Sequence, residues 1–250
     1  MSPHRESDLS EYAIFLSIII PAYNEEIRLP DTLEKTAAFL QTQTFSYEVL
    51  VIENGSTDRT LEIAREYSAR FPFIKAIHED GRGKGLAVRR GMQEACGEYR
   101  FMCDADLSMP IEEVVGFLPP QIEGADIIIG SREAQGAKRY DEPNSRHIGG
   151  RLVNLVIRML ALPGLQDTQC GFKMFHAPAA EALFSRQTIP GWSFDIELLF
   201  IARKLGYEIR ELGIPWYYSE FSHVSPIKDA LRMLLDILVM RVNALRGLYA

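Results

Sequence analysis

Apolar runs of strand length alternate with amphipathic helical stretches through the first half of the chain. Leu16–Ile20 (LSIII), Glu48–Ile52 (EVLVI), Ile74–His78 (IKAIH), Tyr99–Cys103 (YRFMC) and Asp126–Gly130 (DIIIG) are short and apolar on both faces, as strands buried in a parallel sheet are. Between them, Pro30–Gln41 carries Leu33, Ala37 and Leu40 on one face. Thr57–Arg70 carries Leu61, Ala64 and Tyr67, with Ser56 or Thr57 as N-cap, and Gly85–Ala95 and Ile111–Leu118 follow at helical spacing. Repeated strand–helix–strand units predict right-handed crossovers and an α/β fold: a doubly wound, mainly parallel sheet flanked by helices. Ligands of such sheets bind at the carboxyl ends of the strands.

After Gly130 the rhythm changes. Ser131–His147 (SREAQGAKRYDEPNSRH) is a polar stretch of 17 residues, and a loop that long in a compact domain is usually functional. Gly150–Leu162 reads as an apolar helix with only basic charges, Cys170–Phe175 as a strand and Phe194–Leu205 as a helix. Glu208–Tyr218 reads as an edge strand broken by Pro215. The organisation expected is a loose tail over 1–12 and one domain over 13–250. Within it, 13–130 forms one half, 131–225 a second and 226–250 an amphipathic helix.

Composition narrows the classes. Apolar residues make up 47% of the 250 and charged residues 24%, as in a soluble globular domain. Lys+Arg 27 against Asp+Glu 34 gives a net charge of −7, which disfavours nucleic acid as a partner because phosphate backbones attract basic surfaces. The polar start of the chain is neither signal peptide nor anchor, and the longest charge-free run, Ala13 to Asn24, is too short to span a bilayer. Cys96, Cys103 and Cys170 form no CxxC pair and read as buried small hydrophobes of a reducing compartment. The five histidines show no metal spacing, and Trp192 and Trp216 read as core.

Four loops follow four strands. Pro21-Ala22-Tyr23-Asn24-Glu25 follows the first and Glu53-Asn54-Gly55-Ser56-Thr57-Asp58 the second. Gly81–Gly85 (GRGKG) follows the third, and Asp104-Ala105-Asp106 the fourth. Two carboxylates two residues apart at a strand end suit Mg²⁺ or Mn²⁺, which bind one or two carboxylates together with ligand phosphates. GRGKG lacks P-loop spacing but presents Lys84 at a helix start, a plausible diphosphate contact. All four loops would line one crevice.

In this combination the sequence resembles the family 2 GT-A glycosyltransferases, and among them the polyprenyl-phosphate hexosyltransferases of dolichyl-phosphate β-glucosyltransferase type. Gly130-Ser131-Arg132, Asp167–Lys173 (DTQCGFK) and Gly191–Leu198 (GWSFDIEL) carry the likeness further, and it runs from about Leu16 to Tyr249. The resemblance implies a nucleotide-sugar donor, a divalent metal and inversion at the anomeric carbon. Pro21, Tyr23, Glu25 and Glu53 would frame the nucleoside, and Lys84 would meet the base or diphosphate. Asp104 would face the ribose or sugar and share with Asp106 the hold on the metal. Asp195 would act as base, or orient the acceptor if that is already an ionised phosphate, with Asp167 a weaker candidate. Arg132, Arg146, Gln169 and Lys173 complete the substrate contacts. Mannosyl relatives usually have Asp-Asp-Gly-Ser where this chain has Glu53–Ser56, and many have Gln where it has Ser108. Both departures weaken a GDP-mannose assignment and leave the nucleobase open, so that UDP-glucose is the favoured donor and GDP-mannose stays possible.

A lipid phosphate acceptor needs a cationic handle and an apolar resting place. Arg132, Lys138, Arg139, Arg146, Arg151 and Arg158 outnumber Glu133, Asp141 and Glu142. In 226–250, Lys228, Asp229, Arg232, Asp236, Asn243 and Arg246 share one helical face. Ile227, Leu231, Leu234, Leu238, Val242 and Leu245 share the other, with Arg241 inside the apolar arc. Such a helix can lie in a membrane interface or pack on a sheet. The expected enzyme is peripheral on the cytosolic membrane face and transfers a hexose to a polyprenyl phosphate. A soluble or glycan acceptor, or a non-catalytic nucleotide-sugar-binding protein, stays open as the alternative. Oligomeric state is not legible.

Overall fold

A computed structural model describes residues 13–141, 143, 154–218 and 226–250. Seven strands form one sheet in the order β3-β2-β1-β4-β7-β5-β8. They are β1 (Ile14–Ala22), β2 (Tyr47–Glu53), β3 (Ile74–His78), β4 (Gly97–Cys103), β5 (Ile127–Ser131), β7 (Phe172–His176) and β8 (Ile209–Gly213). β1 pairs in parallel with β2 (Ile18 opposite Val49) and with β4 (Ile18 opposite Phe101), and β2 with β3 and β5 with β8 are parallel too. β7 alone runs backwards, antiparallel to both β4 and β5.

The central strands β1, β2, β5 and β7 are buried along most of their length and read as near-continuous apolar runs rather than alternating, while the edge strands β3 and β8 carry exposed Lys75, His78 and Arg210. Ile18 and Ile20 of β1 join a cluster with Leu29, Leu33, Ile63 and Phe117. Ile19 faces the other way, toward Val88, Met92 and Phe194. One layer holds α1 (Leu29–Leu40), α2 (Thr60–Arg70) and a 3₁₀ turn at Ile111–Phe117, and the opposite layer α3 (Lys84–Glu94), α4 (Ala177–Phe184) and α5 (Phe194–Leu205). Each fully buried Leu or Ile contributes roughly 1.5–3 kcal/mol, and the two clusters hold the sheet between them.

Several expectations need correction. Ser56 and Thr57 do not cap α2. It starts at Thr60, because both residues are taken up in cross-links to the first loop. The 131–147 stretch is not structureless throughout: β6 (Lys138–Tyr140) pairs in parallel with β9 (Pro215–Tyr217), and Tyr140 stacks on Tyr217 at 4.6 Å. Cys103 and Cys170 are buried, but Cys96 is exposed. Arg146, Arg151, the rest of 144–153 and the 1–12 tail lie outside the described residues.

Helix α6 (Pro226–Leu245) is present, but its polarity differs from the expectation. Ile237 and Met240 are buried against α5, with Met233 and Ala244 packed at the edge of the same cluster. Leu235, Leu238 and Leu245 are 63%, 62% and 89% exposed, with Leu234, Val239 and Val242 beside them. The helix therefore carries two apolar sides, one on the core and one in solvent. Arg241 falls within the apolar arc because it bridges to its neighbours: its Nη2 donates to Leu160 O at 2.5 Å and its guanidinium lies 5.4 Å from the Phe200 ring. No helix among the described residues is long and apolar enough to cross a membrane.

Candidate active site

The carboxyl ends of β1, β2, β3 and β4 are adjacent in the sheet, and their loops are tied directly to one another. Asn24 N donates to Ser56 Oγ (3.0 Å), Thr57 N to Asn24 Oδ1 (2.8 Å), and Glu25 N to Thr60 Oγ1 (2.7 Å). Asn24 takes a positive φ of 53° to do this, which asparagine tolerates better than most residues. Asn54 Nδ2 reaches Gly83 O at 3.1 Å, and Thr32 Oγ1 of α1 donates to Ala105 O at 2.6 Å. The four loops expected to share a crevice do share one edge of the sheet.

The acidic residues of the first two loops are already engaged. Arg28 grips both oxygens of Glu25 at 2.6 and 2.5 Å. Glu53 is buried, accepting from Ser56 N, and His78 Nδ1 lies 2.6 Å from its Oε2. Burial would raise the Glu53 carboxyl, but Ser56 and His78 outweigh it and hold it below the ordinary range. The Glu53 hydrogen bond raises His78 in turn. His78 is thus not incidental, as its isolated position suggested. Pro21, the penultimate residue of β1, is half-buried, and Tyr23 lies with the Arg82 guanidinium 5.9 Å from its ring.

Lys84 is the first residue of α3, at the positive end of the helix dipole, where a cation is disfavoured and an anion welcome. Its ammonium pairs with Asp104 Oδ1 at 2.6 Å. Burial works to lower the Lys84 pKa, but Asp104, Asp195 and Asp106 outweigh it and raise it. Trp192, expected in the core, is 46% exposed and lies under the Lys84 ammonium, 5.1 Å from ring centre. Asp106 is partly open: its Oδ1 accepts from Ser108 N at 3.0 Å, and its Oδ2 lies 3.9 Å from Arg28 Nη1. Two hard carboxylates acting on one lysine fit a divalent cation whose other oxygens come from a ligand. Among the described residues no three His, Cys, Asp or Glu side chains converge.

The reversed direction of β7 brings the second set of residues to this same edge. Phe172 of β7 pairs with Cys103 at the end of β4, so the segment entering β7 arrives where Asp104 begins. A Cβ on Gly171 would overlap the Asp104 carboxylate, so the glycine is what allows the approach. Lys173, fully buried, points its ammonium at Cys170 O (2.5 Å) and lies 2.8 Å from Asp195 Oδ1 in the first turn of α5. Burial raises the Asp195 carboxyl. Lys173 and Lys84 oppose that rise without cancelling it.

Asp167 is fully buried and receives Arg132 three times: from Nε at 2.6 Å, from Nη2 at 2.8 Å and from its backbone N at 2.9 Å. Burial works to raise the Asp167 pKa, and Arg132 more than offsets it. The Arg132 and Arg139 guanidiniums lie 5.4 and 5.8 Å from the Trp216 ring. Gln169 is half-buried. Arg28, Gly171, Trp192 and His78 are residues that sequence reasoning gave no role. The packing of Asp104 against the segment entering β7 was the hidden signal, since its place depends on an antiparallel strand.

A model of glycosyl transferase family 2 matches residues 17–186. The chain is 34% identical to a dolichyl-phosphate β-glucosyltransferase of Dictyostelium discoideum over 94% of this chain and 76% of that one. It is 32% identical to the human enzyme of that name over 93% and 76%. Among solved structures, Mycobacterium tuberculosis glucosyl-3-phosphoglycerate synthase in complex with Mn²⁺, UDP and glucosyl-3-phosphoglycerate superposes with a TM-score of 0.67 at 18% identity. That superposition covers 92% of this chain and 80% of the other. The same synthase with Mn²⁺ and UDP-glucose gives 0.64. The overall fold is thus shared with that synthase, and the chain belongs to glycosyl transferase family 2, as a glycosyltransferase of GT-A fold.

Proposed function

We propose that the protein transfers glucose from UDP-glucose to a polyprenyl phosphate at a membrane surface, with inversion at the anomeric carbon. The observation that carries the reading is the pair of ion pairs at one sheet edge: Lys84–Asp104 on the donor loops and the buried Lys173–Asp195 behind it. The names of the curated relatives support the acceptor, and those of the solved neighbours support UDP-glucose and a divalent ion.

Cleavage of the anomeric C–O bond leaves negative charge on the diphosphate. Lys84 and the α3 N-terminus place positive charge where it develops. A divalent cation held by Asp106 and Asp104 would, when bound, neutralise that charge further. The acceptor phosphate has a second pKa of about 6 and is already ionised at neutral pH, so no strong base is needed. Asp195 then orients the acceptor, and Lys173 neutralises Asp195 so that a phosphate dianion can come close. Asp167 holds Arg132 in a fixed position from which it meets the acceptor. Leu235, Leu238 and Leu245 give the prenyl chain's membrane an apolar landing surface.

The test is a matrix of donors and acceptors. UDP-glucose with Mn²⁺ or Mg²⁺ should raise the melting temperature. A ligand at 100-fold excess over its Kd stabilises by roughly 2.7 kcal/mol. Glucose should then pass to dolichyl phosphate in vesicles. Stabilisation by GDP-mannose alone, or transfer only to a soluble acceptor, overturns the donor or the acceptor assignment respectively.

A further inference from the structure

The segment between α4 and α5 packs directly onto the loop that carries Lys84, and its anchor is a carboxylate with no part in the reaction just described. Glu197, two residues after Asp195, is fully buried. It accepts from Thr188 N at 3.0 Å, Ile189 N at 2.8 Å, Thr188 Oγ1 at 2.5 Å and Tyr249 Oη at 2.5 Å. These donors are neutral, and a buried carboxylate is tolerated only while its lone pairs are taken. Tyr249 lies beyond α6 and is itself buried. Burial first, then the bond to Glu197, pushes its hydroxyl up to about 12. Asn243 of α6 donates to Thr188 Oγ1 at 3.0 Å, closing the cluster.

From this cluster the path to Lys84 is short. Gln187 Nε2 donates to Gly85 O and to Ile189 O, each at 2.9 Å, and Leu86 N reaches Pro190 O at 3.3 Å. A Cβ on Gly83 would overlap Pro190 O, and one on Gly85 would lie 2.8 Å from Ile189 O. Gly83 also sits at φ +134°, a conformation other residues rarely adopt. The start of α3 is therefore seated on residues 187–190 with no spare room.

We infer that Glu197 is a positioning residue for donor binding. Clamped by Tyr249, it sets the 188–190 strap against which the Lys84 loop is seated. It touches no reacting atom and acts through Lys84, so this inference rests on the reading of Lys84 as a diphosphate contact. The polypeptide beyond α6 thereby becomes part of the donor side, although it lies on the far side of α5 in sequence.

The test compares Tyr249→Phe, Glu197→Gln and Lys84→Ala in the full chain, each assayed well below its own Tm. UDP with Mn²⁺ is titrated by calorimetry, and KM for each substrate and kcat are measured. Tyr249→Phe keeps the ring and removes one hydrogen bond, so the UDP Kd and the UDP-glucose KM should rise about threefold to tenfold. The acceptor KM should stay unchanged. Glu197→Gln turns an amide NH₂ toward the strap's donors and should exceed that. If it fails to fold, Tyr249→Phe carries the test alone. A lower Tm with unchanged UDP Kd and unchanged KM means that the cluster only packs, and overturns the inference. If Lys84→Ala leaves UDP binding unchanged, the donor reading itself falls. If Lys84→Ala weakens UDP while the other two do not, only the positioning role falls.

Discussion

The proposed donor edge and the proposed acceptor edge of this site are held by different means. Around β1–β4, loops that each follow a parallel strand are laced together by short polar side chains and backbone amides, with charge pairs that set a partly open cation on a buried carboxylate: Arg28 on Glu25, and the 43%-exposed His78 on Glu53. Around β5, β7 and α5, Lys173–Asp195 is buried at both members, and Asp167 is wholly buried beneath a partly exposed Arg132. An exposed pair contributes little because water and salt screen it. A buried pair costs a great deal if one partner is removed, because the other is left as an uncompensated charge. The His78–Glu53 pair is therefore expected to yield more easily as a nucleotide enters than the Lys173–Asp195 pair, which is buried at both members.

The sharpest way to break that contrast is Asp195→Asn, which strands Lys173 in the interior. A loss of about 3–5 kcal/mol in unfolding free energy is expected, read from denaturant midpoints at constant m-value. Replacing both members by apolar residues of similar volume should recover most of the stability and none of the activity. A single variant as stable as the parent would show that water reaches Lys173 and that the acceptor edge is no more rigid than the donor edge.

Gly171→Ala probes the seam between the two edges. Its Cβ must displace the Asp104 carboxylate and with it the Lys84 ion pair. A misplacement of this size costs about 100-fold in kcat/KM, with a smaller change in stability. Full activity in this variant would mean that Asp104 works from a different position. Next in size is Leu235→Glu with Leu238→Glu on the solvent side of α6. The pair should weaken binding to vesicles about tenfold, roughly 1.4 kcal/mol, while leaving UDP affinity as it is. Unchanged vesicle partitioning would remove α6 as the membrane contact.

The same contrast explains what could be read from the sequence. Strands β1–β5 and the loops after β1–β4 were legible because local pattern marks them: a short run such as LSIII, rich in isoleucine and followed by a turn, suits a strand buried on both faces. The partners of Asp104 and Asp195 were not, because they depend on β7 running antiparallel between β4 and β5. Nothing in CGFKMFH announces direction. Helix α4, rich in Ala, passed unnoticed because its apolar face is nearly the whole helix. Trp192 looked like core because large apolar rings usually are, and the Lys84 ammonium over it gives the exposed ring a partner. On α6, periodicity identified a helix but not which of two apolar sides would meet the sheet, since Ile237 and Leu238 are equivalent by composition and differ only in what covers them.

The smallest effect belongs to the donor edge and tests its softness. His78 is raised by its bond to Glu53, so its share of stability is present in full below the unfolded value of 6.5 and is lost as pH climbs through the raised folded value. Glu53 is lowered, so its share is present above 4.5 and is lost as pH falls through the lowered folded value. The pair is therefore worth most between those limits. With His78 nearly half exposed, screening reduces its contribution to about 0.3–0.5 kcal/mol. His78→Gln should lower stability by that amount at pH 5.5–6 and by progressively less toward pH 9, so that the two proteins' stability curves converge as pH rises. Parallel curves would mean that His78 does not carry charge in the folded protein. A gap several times larger would mean that the donor edge is held as firmly as the acceptor edge, and the contrast between them would fail.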